Sequence, residues 1–462
     1  MPVRKVHLKT LGCPKNEVDG SVLERHLRAA GYVFVDSPDE AEVEIINTCG
    51  FIEATKLESL EAIWEAIDRK TALPEGAKQL VVTGCLAQRY GPQLKDEIAG
   101  IDSIIGFDRP DLVMKALDSF GQAPPACWVE KPGREFRDDA VLQAWPIGTP
   151  TPLSAYIKVA DGCDNACRFC AIPLIRGSMR SRSLDSIVAE VSLLAEHGTR
   201  EVILVAQDTT SWGIDLPGQP DLADLLQSLD QIGRDFWIRI MYAHPAFLTD
   251  RQIEAIAMSP KVVPYIDMPL QHISDRMLGI MNRHTTKAAT QEKIDRLRSA
   301  KPGMALRTTF IVGHPGETEA DFEELLEFAE SNAFERMGAF PYSSEEGTPA
   351  ARMTELVPDE VTHERIARLM DAYDRWSADQ SVDKLGQTIP CLMEGQSEGI
   401  WEGRTIHDAP EIDGRITVAG PLPGPGVYDV QIESAAGVDL MGRACLAGFS
   451  PEGAEALLRM AV

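Results

Sequence analysis

Strand-like and helix-like segments alternate along most of this chain, and that alternation limits its fold more than any other feature. Within residues 1–120, four apolar strand patterns (VRKVHLKTLG, AEVEIINTC, KQLVVTGC and IDSIIGF) are each followed by a helix pattern. From about residue 150 to residue 345 the alternation resumes, with six strand patterns separated by helix patterns. Such alternation is typical of α/β folds with parallel sheets. Six βα units are too few for a closed eight-stranded barrel, so we expect an N-terminal parallel α/β domain followed by a partial (βα)6 barrel.

Two changes of pattern predict the domain boundaries. A stretch containing proline and glycine, GQAPPACWVEKPGREFRDD, interrupts the first alternation, and a long helix pattern, VTHERIARLMDAYDRWSADQSVDKLG, ends the second. In residues 386–450 short apolar runs then alternate with Gly/Pro turns, which is typical of a small antiparallel β barrel. We expect an N-terminal domain at 1–122, a linker at 123–148, a central domain at 149–378, a β barrel at 379–450 and a tail at 451–462.

Composition narrows the cellular setting and the type of partner. The chain has no run of 18 apolar residues, and its N-terminus lacks the apolar core of a secretory signal, so we expect a cytoplasmic protein with no membrane partner. Its nine cysteines are then not expected to form disulfides, and clustered ones favour metal binding or catalysis. The formal net charge of −26 opposes nucleic-acid binding and favours a basic partner, although the same charge would also serve solubility.

Three cysteines stand close together in the loop after the first strand pattern of the central domain. The segment DGCDNACRFCAIP places Cys163, Cys167 and Cys170 in a C-x3-C-x2-C array. Thiolates in one short loop can converge on a metal centre, and sites made of cysteine alone favour zinc or an iron–sulfur cluster. A structural zinc ion requires four ligands, whereas this loop offers three thiolates and no histidine. Three thiolates on a four-iron cluster leave one iron open to a substrate, and zinc stays the alternative.

This array, its position after a strand and the six βα units resemble the radical S-adenosylmethionine (SAM) superfamily. The resemblance implies that the three cysteines hold a 4Fe–4S cluster whose open iron binds the amino and carboxylate groups of SAM. It also implies that one electron cleaves SAM to methionine and a 5′-deoxyadenosyl radical. Other residues that the resemblance places near SAM are Phe169, Gln207, Gly313 and Gly316.

Two segments of the central domain allow both a functional and a structural interpretation. Gln271 and His272 in DMPLQH lie at a predicted strand end, where the active sites of βα barrels are found, so Gln271 is a further candidate for SAM binding. A lone histidine there is more often structural. The glycine-bearing segment FIVGHPGET equally fits a turn into the next helix, with Thr318 or Glu317 near the N-cap.

Three other cysteines occupy the same position in three different βα units. Cys13, Cys49 and Cys85 each come just after a predicted strand and just before a predicted helix. Because the carboxyl ends of parallel strands share one sheet edge, where ligands bind, we expect these cysteines to meet in space. Nearby helix N-termini would favour their thiolates, and the glycine beside each would let the backbone approach a bulky ligand. The alternative is that all three are small buried hydrophobes. Cysteines that share no such position, and for which we expect packing, are Cys127, Cys391 and Cys445.

With both groups of cysteines considered, nearly the whole chain resembles the methylthiotransferases, a radical SAM subfamily that ends in a TRAM domain, a small β barrel. The resemblance implies that Cys13, Cys49 and Cys85 hold a second 4Fe–4S cluster that carries the sulfur or methylthio group. One SAM donates the methyl group and another supplies the radical, with electrons from a donor protein. Because cofactors carry this chemistry, we assign no side chain as a general acid or base.

Sequence details favour the branch of the methylthiotransferases that modifies a ribosomal protein. The segments LGCPKN, NTCGFI, IPLIRGSMRSR, YIDMPLQHIS and HDAPEIDG resemble that branch, whereas the tRNA branch reads more like Y-G-C-Q-x-N at the first. The resemblance implies methylthiolation at Cβ of an aspartate in the twelfth protein of the small ribosomal subunit. Residues 376–450 carry 11 Asp and Glu against 4 Lys and Arg, which suits a basic ribosomal protein better than direct binding to tRNA.

The acidic segment HDAPEID supplies three candidates for contact with that substrate protein, and a solvated turn is the alternative interpretation. These residues are Asp408, Glu411 and Asp413. Two other functions stay open. The chain could be a tRNA adenosine methylthiotransferase, with the same reaction on another substrate. It could also be a metal-binding adaptor without enzymatic activity that holds zinc in the central loop.

Overall fold

A six-stranded parallel sheet forms the N-terminal domain. The computed structural model describes residues 4–120, 126–133, 135–137 and 151–445. In the sheet the strands follow the order β2-β1-β3-β4-β5-β6, and every neighbouring pair is parallel. The strands are β1 (Lys5–Thr10), β2 (Val33–Phe34), β3 (Val43–Thr48), β4 (Gln79–Gly84), β5 (Ser103–Ile105) and β6 (Ala126–Trp128). The helices are α1 (Pro14–Ala29), α2 (Glu53–Thr71), α3 (Cys85–Glu97) and α4 (Pro110–Asp118), with a short 3-10 helix at Pro38–Glu40.

The two strands of this sheet that the sequence pattern missed are very short. Strand β2 has two residues and β6 has three, too few for a period of two to be recognised. Strand β6 pairs with β5 and lies inside the predicted linker, so part of that segment is ordered against the sheet. Residues 123–125, 134 and 138–148 of the predicted linker lie outside the described residues, and its boundaries stay a prediction.

The central domain contains the predicted six-stranded partial barrel. Its strands follow the order β14-β13-β12-β11-β10-β7, all parallel, and the sheet does not close on itself. The strands are β7 (Ser154–Lys158), β10 (Glu201–Val205), β11 (Trp237–Ile240), β12 (Val262–Asp267), β13 (Ala305–Val312) and β14 (Arg336–Pro341). A separate two-stranded antiparallel pair consists of β8 (Ala160–Asp161) and β9 (Arg180–Ser181).

Helices cover the outer face of this sheet and one long helix leads out of it. The first helix of the domain, α5 (Ile172–Ile175), instead packs against Cys85 at the start of α3. The others are α6 (Leu184–Glu196), α7 (Leu222–Asp230), α8 (Asp250–Met258), α9 (Asp275–Met281), α10 (Lys287–Ala300), α11 (Glu319–Asn332) and the long α12 (Asp359–Asp383), with a 3-10 helix at Ala350–Arg352. Alternate strand residues such as Val202 and Leu204 pack against these helices in one continuous apolar core.

The inner face of the sheet is covered by the two flanking domains. Ile203 and Val205 of β10 and Tyr265 of β12 share one apolar cluster with Val18 of α1 and with Ala409 from the C-terminal domain. Because the strands are buried on both faces, their sequences are nearly continuous apolar runs, as is typical of parallel sheets. The three domains therefore share one core around the barrel.

The C-terminal domain is a closed five-stranded barrel, as predicted. Its order is β15-β16-β17-β19-β18, and the pairs are antiparallel except for β17 with β19, which is parallel. The strands are β15 (Thr388–Ser397), β16 (Ile400–Thr405), β17 (Ile416–Ala419), β18 (Gly426–Ala436) and β19 (Asp439–Ala444). The predicted tail, 451–462, lies outside the described residues. In the part of the chain that the structure describes, no helix has the length and apolar character needed to cross a membrane.

Candidate active site

The sheet edge of the N-terminal domain brings Cys13, Cys49 and Cys85 together. Cys13 caps the N-terminus of α1 after β1, Cys49 directly follows β3, and Cys85 is the first residue of α3 after β4. Strands β1, β3 and β4 are direct neighbours in the sheet. The thiols are near enough that Cys13 raises the pKa of Cys49, and that both raise the pKa of Cys85, in addition to the larger effect of burial.

Glycines hold this group of cysteines together through contacts within the protein. Gly12 has φ +95°, and a Cβ there would lie 2.6 Å from Cys49 Cβ and 2.7 Å from Cys49 Sγ. A Cβ on Gly50 would lie 2.7 Å from Leu86 Cα, in the first turn of α3. The sequence predicted that these glycines make room for a bulky ligand. In the structure they make room for the neighbouring cysteine turns of the same site.

Burial dominates the electrostatics of these thiols. It raises the pKa of Cys85 to about 12 and also raises the pKa of Cys49, so the predicted gain from nearby helix N-termini does not outweigh it. The Arg176 guanidinium opposes the shift at Cys85, because its Nη2 donates a hydrogen bond to Cys85 Sγ at 3.2 Å. A bound metal cluster would replace the protons of the three thiols with positive charge.

Arg176 connects this site to the central domain. It is 1% exposed, and besides Cys85 it donates to Asp19 Oδ2 at 2.8 Å and to Asp161 Oδ1 at 3.0 Å. Asp19 lies on α1, close after Cys13, and Asp161 comes two residues before Cys163. One buried side chain therefore bridges the two groups of cysteines. The sequence analysis missed it, because an arginine within IPLIRGSMRSR gives no sign that it is buried.

The central group of cysteines lies in the loop between β8 and α5. The backbone N–H of Cys163 donates to Gly177 O at 3.1 Å, and that of Cys170 donates to Cys167 O at 3.1 Å. Burial raises the pKa of the Cys163 and Cys170 thiols to about 12, and Cys167 raises both further. Arg283 Nη1 donates to Cys167 Sγ at 3.4 Å, so this site also has a buried cation beside one thiol.

The donor set of each group, three thiols, is chemically compatible with an iron–sulfur cluster. Among the described residues, no three His, Cys, Asp or Glu side chains are arranged around one metal ion. Zinc requires ligands that converge on one point, whereas a four-iron cluster takes each thiolate on a different iron atom. Each group contains three thiols, no histidine and an adjacent arginine, which suits a cluster with one iron left open.

Three predicted SAM-binding residues lie around the central cysteine loop. The Phe169 ring packs edge-on against His314, with 6.4 Å between ring centroids, which brings the cysteine loop to the segment that contains Gly313. Gln207 Nε2 donates to Asp161 Oδ1 at 3.3 Å, and its Oε1 is buried without a hydrogen-bond partner among the described residues. An unpartnered buried oxygen beside the loop is what a ligand donor would satisfy.

Gln271 and Gly316 lie farther along the strand ends. Gln271 has φ +74°, and its backbone bonds to Thr309 O and Ile311 N, each at 2.8 Å, hold it beside β13. Gly316 has φ +85° and donates its N–H to Glu355 O at 2.7 Å. Both stay predictions as SAM-binding residues.

The observed contacts agree with the structural interpretations of Thr318 as a helix N-cap and of His272 as a buried structural histidine. Thr318 is the N-cap of α11 and forms a capping box with Asp321, so HPGET is a turn into that helix, whatever else it binds. His272 is fully buried, and its Nδ1 accepts the N–H groups of Ile273 and Ser274 at 2.8 and 3.1 Å. Its Nε2 lies 3.7 Å from Glu317 Oε2.

Packing accounts for two of the three remaining cysteines. Cys391 is fully buried in the core of the C-terminal barrel, and Cys127 packs against the N-terminal core. Cys445 differs from the expectation, because it is exposed.

Two of the three residues proposed to contact a substrate protein are inaccessible. Asp408 is 1% exposed and accepts hydrogen bonds from Arg336 Nε at 2.8 Å and from Thr405 Oγ1. Burial raises the pKa of Asp408, but Arg336 and Thr405 outweigh it, and the pKa lies below its ordinary value. The Asp413 side chain is 2% exposed, accepts from Tyr265 Oη at 2.8 Å and lies 3.5 Å from Arg307 Nε. Both carboxylates attach the C-terminal barrel to the central domain, and a contact with another protein is not expected from them.

Glu411 is exposed, and its contact with a substrate protein stays a prediction. It lines a cavity of about 970 Å³ where all three domains meet, together with Glu17 of α1 and Ser154 of β7. Burial and the nearby Glu411 raise the pKa of Glu17 to about 7. Because Ser154 begins β7, the cavity opens at the end of the barrel opposite to the cysteine loop.

Comparisons with known proteins agree with this arrangement of domains. The radical SAM superfamily model matches residues 157–329, an uncharacterised family named UPF0004 matches residues 5–106, and the TRAM domain matches residues 385–445. The ribosomal protein uS12 methylthiotransferase RimO of Anaeromyxobacter sp. (strain K) is 45% identical over 95% of this chain and 93% of its own. The chain belongs to the RimO family. RimO of Desulforamulus reducens is 42% identical over 95% of this chain and 98% of its own, and RimO of Clostridioides difficile is 41% identical with the same coverage.

Solved structures support the fold of this RimO family member. The radical SAM methyltransferase TsrM from Kitasatospora setae, with cobalamin and a 4Fe–4S cluster bound, has a TM-score of 0.54 at 14% identity and covers 87% of this chain and 80% of its own. At that identity the likeness concerns the fold alone. The radical SAM domain implies one 4Fe–4S cluster and SAM for this chain as for other members of the RimO family.

Proposed function

We propose that this chain is a radical SAM methylthiotransferase that adds a methylthio group to Cβ of an aspartate in ribosomal protein uS12. The observation that carries the proposal is the meeting of Cys13, Cys49 and Cys85 at one sheet edge, joined by Arg176 to the loop with Cys163, in a chain of the RimO family. An enzyme with one cluster would need only the three cysteines of the central loop, so the meeting of three further cysteines calls for a second role.

The proposal assigns one 4Fe–4S cluster to each group of cysteines. The residues that would hold the SAM-cleaving cluster are Cys163, Cys167 and Cys170. The residues that would hold the second cluster are Cys13, Cys49 and Cys85. When bound, the clusters and SAM supply the electron, the radical and the methylthio group that side chains cannot supply.

The side chains of this protein supply positive charge beside the thiols, hold the two domains in position and keep water out of the site. Arg176 and Arg283 are both buried and place a guanidinium against one thiol in each group, which favours thiolate over thiol. The network of Arg176 with Asp19 and Asp161 fixes the N-terminal domain against the central domain. Burial of these groups keeps bulk water from a site in which a reactive carbon would form.

The partners follow from charge and from the name of the relatives. The RimO relatives act on ribosomal protein uS12, and a chain of net charge −26 suits a basic protein. We expect no direct binding of nucleic acid, since few cations of the C-terminal barrel would be available for phosphates. We also expect a separate electron-donor protein and action in the cytoplasm, where ribosomal proteins are made.

The first experiment tests the substrate. The anaerobically reconstituted enzyme is incubated with SAM, a reductant and sulfide, either with uS12 or with tRNA, and both products are examined by mass spectrometry. We expect a methylthio mass gain on one aspartate of uS12 and no gain on tRNA. A gain on tRNA alone would overturn the choice of substrate.

The second experiment tests the two clusters. Iron per chain is measured after reconstitution in the wild type, Cys13→Ala, Cys167→Ala and the exposed control Cys445→Ser. We expect each of the first two variants to lose about half of the iron and the control to lose none. If Cys13→Ala retains all of the iron, the N-terminal cysteines are packing residues and the second cluster is refuted.

A further inference from the structure

Buried cations in this protein almost always have a carboxylate partner. Eleven lysine and arginine side chains are buried among the described residues, and nine of them form an ion pair with aspartate or glutamate. The two exceptions within the described part of the chain are Lys15 and Arg283. Both lie beside the cysteine groups, Lys15 two residues after Cys13 and Arg283 against Cys167 Sγ.

The two exceptions are not equivalent. Arg283 donates to Pro269 O at 2.6 Å and to Cys167 Sγ, so its guanidinium has acceptors. Lys15 is 8% exposed, and its Nζ lies 3.3 Å from the centroid of the Tyr242 ring. A cation over an aromatic face is stabilised, but its charge is not neutralised. Beside its charge Lys15 therefore has the Tyr242 side chain and the nearby Cys13 thiol, and no carboxylate among the described residues.

Lys15 is held between the two cysteine groups. It comes two residues after Cys13, and Asn16 fixes the turn by donating its side-chain amide to Leu11 O at 2.7 Å. Tyr242 follows β11 at the carboxyl end of the barrel, where its N–H donates to Asp267 Oδ2 at 3.1 Å. The lysine therefore spans from the N-terminal sheet edge to the barrel edge that carries the other cysteine loop.

A buried cation without a carboxylate partner is costly, so such a site favours an arriving carboxylate. In the proposed substrate a carboxylate lies one bond from the carbon that is modified. We propose that Lys15 Nζ binds the side-chain carboxylate of the target aspartate and so positions its Cβ between the two cysteine groups. This inference rests on the proposed function. It makes Lys15 a substrate-binding residue that distinguishes aspartate from its uncharged isostere asparagine.

The test compares charge recognition in matched variants of the reconstituted enzyme. Affinities for uS12, and for uS12 with asparagine in place of the target aspartate, are measured by fluorescence anisotropy for the wild type, Lys15→Met, Lys15→Arg and the partly exposed control Lys9→Met. We expect the wild type and the control to prefer the aspartate form by about ten- to hundredfold. Lys15→Met should bind both forms equally, and Lys15→Arg should keep part of the preference.

Iron per chain and SAM affinity are measured on the same samples. Both should match the wild type in Lys15→Met, because the inference concerns the substrate alone. An unchanged preference for aspartate in Lys15→Met would overturn it, as would loss of iron or of SAM affinity with the preference intact. A wild type that neither binds nor modifies uS12 refutes the proposed function itself, and the inference with it.

Discussion

Replacing Asp408 with alanine should weaken the attachment of the C-terminal barrel to the central domain without altering a contact with a substrate. The side chains of Asp408 and Arg336 are 2% and 4% exposed, so the pair is shielded from water and from any partner protein. Asp408→Ala leaves the Arg336 guanidinium buried without its main counter-charge. It also removes the acceptor of the Thr405 hydroxyl.

The free-energy cost of Asp408→Ala depends on which partners Arg336 keeps. Breaking a buried ion pair by removing one partner costs about 3–5 kcal/mol. Arg336 Nη1 keeps its hydrogen bond to Glu335 O at 2.7 Å, and the Asp413 carboxylate still favours the charged guanidinium, so the lower end applies. We expect a loss of about 3 kcal/mol, which corresponds to roughly a hundredfold increase in the equilibrium for opening this interface.

Amide hydrogen exchange measures the opening of this interface locally. A global unfolding curve would not isolate it, because a chain of three domains need not unfold in one step. The N–H of Ile406 donates to Pro390 O at 2.9 Å and that of Ala409 to Asp413 Oδ2 at 2.9 Å, so both amides report on the segment. In Asp408→Ala they should exchange roughly a hundredfold faster. The matched control is Glu411→Gln, an exposed change in the same segment, which should leave the exchange of both amides unchanged.

A double variant provides an internal check. Asp408→Ala combined with Arg336→Met removes the stranded charge, so the pair should cost less than the sum of the two single changes. The reasoning is refuted if Asp408→Ala exchanges like the wild type at these amides while its affinity for uS12 falls. That outcome would make Asp408 a contact residue, as the sequence alone suggested.

Two further predictions concern other parts of the molecule. Gly12→Ala should lose about half of the iron per chain, because the new Cβ would meet the Cys49 side chain at 2.6 Å. The control Gly31→Ala has a similar φ of +91° but no atom within 4 Å of the new Cβ, so it should keep all of the iron. Equal iron content in the two variants would contradict this prediction. Glu17, whose pKa is raised from 4.5 to about 7 by burial and by Glu411, should stabilise the fold at low pH and lose that contribution as the pH rises toward about 7. Urea unfolding from about pH 5 to about pH 8 should show this decline in the wild type and not in Glu17→Gln, and parallel curves would be inconsistent with a raised pKa of the half-buried Glu17 carboxyl.

Features that depend on local period and on topology could be predicted from the sequence. Alternating strand and helix patterns specify parallel sheets, and parallel sheets bring strand ends to one edge, which is why Cys13 and Cys49 meet although they are far apart in the chain. The partial six-stranded barrel and the C-terminal β barrel follow from the same kind of pattern. Strands β2 and β6 were missed because two or three residues carry no period.

Features that depend on contacts between domains could not be predicted. HDAPEID has the composition of a solvated turn, and only the position of Arg336, 72 residues earlier, shows that Asp408 is buried. The charge of Arg176 likewise gives no sign that it bridges two cysteine sites. The glycines beside the cysteines were correctly noted, but which atoms they accommodate depends on how neighbouring turns pack.

The shared inner face of the barrel has a consequence for how the chain is synthesised. Val18 leaves the ribosome well before the strands that it covers, whereas Ala409 follows them by more than 100 residues. During translation the apolar face around Tyr265 is therefore covered by the N-terminal domain but stays partly exposed until the C-terminal domain has been synthesised. The central domain is not expected to fold when it is expressed alone, because its inner apolar face is covered by residues from both flanking domains. Premature termination before the last domain should yield a product that self-associates or is degraded, rather than a shorter enzyme.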